Sequence, residues 1–221
     1  MAQKIAPYGS WVSPITADRM LAGAVGIGSL TPLGDSLVWT ESRPEEGGRN
    51  VLVRRRPDGT REDLLPAPWG ARSRVHEYGG GALGTGDDQL FFSSERDRRL
   101  HCIDIDGGEP RALTPPGAWR FAEPQHDPRR DRVIAVGEEH AEGAPEPTNA
   151  LVTIALEGGT PEILVGGHDF YAAPRLSPDG SQIAWLAWQH PHMPWQETEL
   201  WTASLDHSGR PSEARRIAGG A

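Results

Sequence analysis

The chain has 221 residues, with 22 Lys and Arg against 31 Asp and Glu and a formal charge of −9. That balance excludes a duplex nucleic-acid binder, which needs a basic face to displace counterions. The length suffices to bury a substantial core, and no stretch approaches the ~18 consecutive apolar residues of a membrane span.

The opening MAQKIAPYGSW lacks the basic region and apolar core of a signal peptide. A single cysteine, Cys102, allows no intramolecular disulfide, so a soluble protein of a reducing, cytoplasmic compartment is expected. Downstream, 27 glycines and 20 prolines punctuate short apolar runs, a pattern of strands and turns rather than long helices. The first unit runs through LTPLGDSL (30–37) into Leu37-Val38-Trp39, crosses the polar loop SRPEEGGR (42–49), returns over 50–53, turns at Asp58-Gly59 and closes at Leu64-Leu65. Its Arg54-Arg55-Arg56 run, the chain's one basic cluster, reads as a solvated strand end.

The second unit enters through RVHEYGGG (74–81), where three consecutive glycines rule out a helix interior at about 1 kcal/mol each against alanine. They mark backbone that something approaches closely. Leu90-Phe91-Phe92, SERDRR (94–99), 100–103, Gly107-Gly108 and Ala112-Leu113 complete the unit. The third takes WRFAE (119–123), HDPRRDRV (126–133), Val133-Ile134-Ala135, EEHAEGAPEPTN (138–149), 151–154, Gly158-Gly159 and Ile163-Leu164. The fourth takes HDFYAAP (168–174), LSPDGSQI (176–183), Ile183-Ala184-Trp185, WQHPHMPWQETE (188–199), 200–203, Ser208-Gly209 and Arg216-Ile217. Pro32, Pro128 and Pro178 occupy one equivalent position ahead of the leading apolar run, where the second unit has Thr85.

Units of ~40 to 50 residues with four short strands have the length of propeller blades. The expected fold is all-β, a partial β-propeller of about four four-stranded antiparallel blades at 15–66, 75–114, 119–166 and 169–219, within one domain spanning 1–221. Blades cover each other on both faces, which accounts for unbroken apolar runs such as 133–136 where a half-exposed strand would alternate. Antiparallel order places the blade-joining segments and the loops between second and third strands on one face of the disc. His76, Glu77, Tyr78, Arg120, His168, Asp169 and Tyr171 are therefore expected to ring the channel mouth. Glu41, Glu45, Glu46 and Glu77 would make that mouth acidic and suited to a substrate's ammonium group.

WVSPITA (11–17), RPEEGGR (43–49), RVHEYGGG, DFYAAPRLSPDG (169–180) and HPHMPWQETELW (190–201) stand in order along the chain. Together they resemble the propeller of bacterial prolyl oligopeptidase family members of the dipeptidyl-aminopeptidase and acylaminoacyl-peptidase type. The resemblance implies a seven-bladed propeller followed by an α/β-hydrolase domain with a serine, aspartate and histidine triad. The propeller of such enzymes caps the active site and admits short or unstructured peptides. The expected partners are thus a peptide substrate and a C-terminal hydrolase domain.

This sequence departs from the family after about four blades and contains no G-x-S-x-G elbow. Without nucleophile, base and oxyanion site, the chain alone is expected to be inactive, with no catalytic residue of its own. It reads as the N-terminal portion of a larger peptidase. The alternative is a non-catalytic propeller that binds a protein or peptide, like Tol-type and WD-repeat scaffolds. In the first case, the outward faces of the end blades would lack partners and favour self-association.

No cofactor or metal is expected. Gly26-Ile27-Gly28 is followed by Thr31 where a dinucleotide fingerprint needs glycine, and Lys4 is the sole lysine, so a P-loop fails as well. His190 and His192 have no second cluster at ligand spacing and read as rim residues. Trp185, Trp188, Trp195 and Trp201 read as blade packing. His76-Glu77-Tyr78 admits two readings: a polar network satisfying a blade junction, or a contact with substrate or hydrolase domain.

Overall fold

The computed structural model describes residues 5–10 and 12–220, so Lys4 and Trp11 of WVSPITA lie outside the described residues. The punctuated apolar runs form four separate four-stranded antiparallel sheets. The first holds β1 (Gly26–Leu33), β2 (Ser36–Arg43), β3 (Arg49–Arg55) and β4 (Arg61–Asp63). In the second are β5 (Leu83–Thr85), β6 (Gln89–Ser93), β7 (Leu100–Asp104) and β8 (Arg111–Ala112). The third comprises β9 (Trp119–Asp127), β10 (Arg132–Glu139), β11 (Thr148–Ala155) and β12 (Glu162–Val165). The fourth comprises β13 (Phe170–Leu176), β14 (Gln182–Trp188), β15 (Glu199–Leu205) and β16 (Pro211–Gly219). Each is a simple meander in chain order, as a propeller blade requires.

The cores lie between the sheets, and alternation along the second strands of the two middle blades feeds two of them. In β6, Leu90 and Phe92 pack with Val38, Leu52, Leu64 and Leu65 of the first blade, while Phe91 turns the other way to Phe121 and Val133 of the third. In β10, Val133 and Ala135 face the second blade, while Ile134 and Val136 face Tyr171, Ile183 and Trp185 of the fourth. Each of the fully buried Val, Leu, Ile and Phe side chains among them contributes about 1.5–3 kcal/mol. This two-sided burial is why β6 and β10 read as continuous apolar runs.

Several details differ from the sequence expectation. Leu64 and Leu65 lie just beyond β4: the ladder ends at Asp63, and Leu64 N donates to Leu52 O at 2.8 Å while both leucines drop into the core between the first two blades. Arg54 is no solvated strand end. Its side chain is 4% exposed and bridges Glu62 at 2.5 Å and Asp106 of the second blade at 3.2 Å, because strand alternation points it inward between blades. A short helix α1 (Ala17–Leu21), capped by Thr16 Oγ1 accepting from Arg19 N at 3.2 Å, precedes the first blade.

Polar clamps supplement the apolar contacts. Asp127, fully buried, accepts from Arg130 at 3.1 Å and Arg132 at 2.8 Å. Those arginines reach on to the fourth blade, donating to Gly180 O (3.1 Å), Asp206 O (2.7 Å) and Gly209 O (2.9 Å). HDPRRDRV is thus a clasp between the third and fourth blades as well as a turn.

Candidate functional site

The four innermost strands line one cavity of about 270 Å³, with Ser29 and Thr31 from β1, Gly84 from β5, Glu123 and Gln125 from β9 and Arg175 from β13. This is the central channel. Gly84 is required there, since a Cβ would collide with the Pro124 carbonyl of the neighbouring blade. Glu123 spans two blades, its carboxylate accepting from Ala173 N.

RVHEYGGG lies at the channel edge and reaches from the second blade to the fourth. Val75 joins the core between the third and fourth blades, and the His76 ring meets Phe170 and Trp188 at centroid distances of 5.4 and 5.3 Å. His76 and Glu77 both adopt left-handed backbone, with φ of 56° and 64°. Two consecutive non-glycine residues in that region store strain, of order 1–3 kcal/mol each, which the surroundings must hold. The turn is held by Tyr78 N to His76 O at 2.8 Å, Gly79 N to Val75 O at 2.9 Å, and His76 N donating to the Glu138 carboxylate at 2.9 Å.

The glycines answer to the protein's own chain. At Gly79 (φ 86°) a Cβ would lie 2.8 Å from Ser73 O, and at Gly80 one would lie 3.0 Å from Ala122 Cβ on β9. The close approach signalled in the sequence is made by the protein itself, in part by the next blade.

Glu138 organises the charges. Although its side chain is 3% exposed, it binds His76 N, His140 Nε2 at 2.7 Å and, at 3.6 Å, Arg120, which also reaches Glu77 at 3.5 Å. Sequence reasoning passed over Glu138 as part of a long loop, although register was the available signal: it stands directly opposite Arg120 in the β9–β10 ladder. Burial lowers the pKa of His76 against the opposing pull of Glu138, so the imidazole stays neutral near pH 7. Glu77 and Tyr78 project outward, and Glu77's side chain is 83% exposed. An apolar recess of about 170 Å³ lies beside them, between His76, Tyr78, Leu186, Trp188 and Pro194.

The structure therefore brings His76, Glu77, Tyr78 and Arg120 together, with Tyr171 in the lining of the same recess, and gives the other expected mouth residues different partners. Tyr171 is a core residue, fully buried, its hydroxyl accepting from His168 N at 2.9 Å. His168 and Asp169 are tied to the 188–199 loop: His168 Nδ1 lies 3.1 Å from Gln189 Nε2, and Asp169 Oδ2 accepts from His190 N at 2.8 Å. Glu41 sits with Trp39, Val51 and Val53 on the face of the first blade turned away from the second. Burial raises its pKa, yet hydrogen bonds from Trp39 and Arg43 and the charge of Arg61 outweigh that and leave it lowered. Glu46 is likewise held by Arg43 and Arg49. Arginines thus pair Glu41 and Glu46, whereas Glu45 accepts from Gly23 N at 3.2 Å and the exposed Glu77 lies 3.5 Å from Arg120. Among the described residues no cluster could hold a metal ion, and no helix is long and apolar enough to cross a membrane.

Comparison with solved structures identifies what this architecture resembles. A puromycin hydrolase mutant complexed with PGG matches with a TM-score of 0.87 at 39% identity, covering 97% of this chain and 36% of that one. A puromycin-hydrolyzing peptidase of Mycobacterium tuberculosis matches at 0.85 and 38% identity, covering 99% of this chain and again 36% of that one. Along almost its whole length the chain resembles the propeller of the prolyl oligopeptidase family. It spans about a third of the length of the hydrolases it matches. A TolB from Agrobacterium tumefaciens, at 12% identity and a TM-score of 0.61, shares the fold alone. No family model and no curated protein matches the chain.

Proposed function

We propose that this chain is the substrate-gating propeller portion of a serine peptidase of the dipeptidyl-aminopeptidase or acylaminoacyl-peptidase type. It admits short peptides to a C-terminal α/β-hydrolase domain, where acyl transfer takes place. One observation carries the reading: the chain matches peptidases along 97% of its own length but only 36% of theirs. The sequence also has no G-x-S-x-G elbow of its own. The outward Glu77, on a turn fixed by Glu138 and Arg120, is the group that faces an arriving peptide. Buried Cys102 suits a cytoplasmic setting.

The test is the intact mass of the native gene product in its source cells, set against the 24.0 kDa of this chain. A product about three times heavier is expected. A product of 24.0 kDa would overturn the peptidase reading and leave a binding propeller.

A further inference from the structure

A second polar feature lies on the same side of the molecule, at the junction of the second and third blades. A cavity of about 210 Å³ is lined by four arginines, Arg72, Arg74, Arg98 and Arg120, above a floor of Ser73, Ser93 and Phe121. In a chain of net charge −9 such a convergence of cations is unexpected. The floor is rigid and self-satisfied, with Ser73 and Ser93 hydroxyls both donating to Phe121 O, at 2.7 and 2.6 Å. It makes no demand on the arginines.

The turn 94–99 shows which cations remain available. Glu95 pairs with Arg72 at 3.2 Å, Arg96 lies over the Trp69 ring at 5.1 Å, Asp97 binds His101 at 3.0 Å, and Arg99 donates to Thr114 O. Arg98, held in left-handed backbone at φ 62°, has no side-chain partner among the described residues, and neither does Arg74. Two guanidinium groups without acidic partners therefore line one recess. Arg120 forms the wall shared with Glu77, which lies 3.5 Å from it.

We infer that this recess binds a carboxylate of a short peptide, with Arg74 and Arg98 as its principal donors. Guanidinium forks match a planar carboxylate in geometry and charge. Glu95 in the lining, and Glu77 and Glu138 behind Arg120, repel a dianion more strongly than a monoanion, which favours carboxylate over phosphate. That the carboxylate belongs to a peptide rests on the peptidase reading; the recess's choice of anion does not.

The test titrates this chain with N-acetylglycylglycine, its amide, N-acetylaspartate amide and inorganic phosphate, following backbone amide shifts by NMR. Carboxylate binding should move Ser94, Glu95 and Arg98, and the amide analogue should bind at least about tenfold more weakly. The tighter of the two carboxylates names the source, C-terminal or side-chain. Arg74→Gln with Arg98→Gln should weaken binding by about tenfold or more, and raising salt should weaken it in the unmodified chain even where that variant misfolds. Equal binding of the amide, tighter binding of phosphate, or salt-independent binding would overturn the assignment. All three organic probes have blocked amines, so their failure leaves any ammonium role of Glu77 standing.

Discussion

At the scale of residues, the mouth is built on an arrangement in which a buried acid positions an exposed one. Glu138 fixes His76 N and Arg120, and those two set the turn from which Glu77 projects. Replacing Glu77 by Gln keeps the shape and removes the charge. In the peptidase proposed to carry this propeller, Glu77→Gln should raise KM for peptides with a free N-terminus by ~3- to 10-fold, with blocked peptides little changed. Equal effects on both classes would leave Glu77 without a role in recognising an ammonium group. The sequence made His76, Glu77, Tyr78 and Arg120 legible because they fall in blade-joining segments. It concealed Glu138, whose importance depends on ladder register, and it misplaced Glu41, whose neutralisation by Arg43 and Arg61 follows from cross-strand neighbours. Tyr171 depends on its strand in the same way: alternation turns it into the core beneath the recess that His76 and Tyr78 line, while His168 nearby stays at the rim.

At the scale of elements, the second strands of the two middle blades, β6 and β10, were legible because burial on both faces leaves an unbroken apolar run. The shorter outer strands were less so. Leu64 and Leu65 look like strand residues but act as plugs between blades, since an apolar pair in sequence does not reveal whether the ladder continues beneath it. The arginines of HDPRRDRV were equally opaque, reading as a polar turn when they clasp the fourth blade around Asp127. Removing a fully buried acid leaves two guanidinium groups uncompensated, which costs about 3–5 kcal/mol. Asp127→Ala should therefore lower the urea midpoint strongly, and amides near Gly180 and Gly209 should lose hydrogen-exchange protection beyond those of the first blade. A loss of protection spread evenly over all four blades would mean that Asp127 supports the third blade internally and does not couple it to the fourth.

For the whole molecule, the deciding fact is that three blade junctions are filled while two outward faces carry apolar side chains. On the first blade, Ile27 and Leu37 are 68% and 39% exposed, and register places them on the side of Trp39 that faces away from the second blade. On the fourth, Ala172, Leu186, Leu200 and Ala218 form one cross-strand row on the side opposite the Tyr171 and Trp185 core. These two faces differ, so a contact between the first blade of one copy and the fourth of another is heterologous and can continue head to tail. The chain should accordingly sediment with a weight that rises with concentration across the micromolar range. Ile27→Lys combined with Leu200→Lys places like charges on both sides of that contact and should return the chain to a monomer without loss of strand content. An unmodified chain that stays monomeric at every concentration would mean that its outward faces are too small or too well screened by Arg43, Arg61 and their acidic partners to drive association.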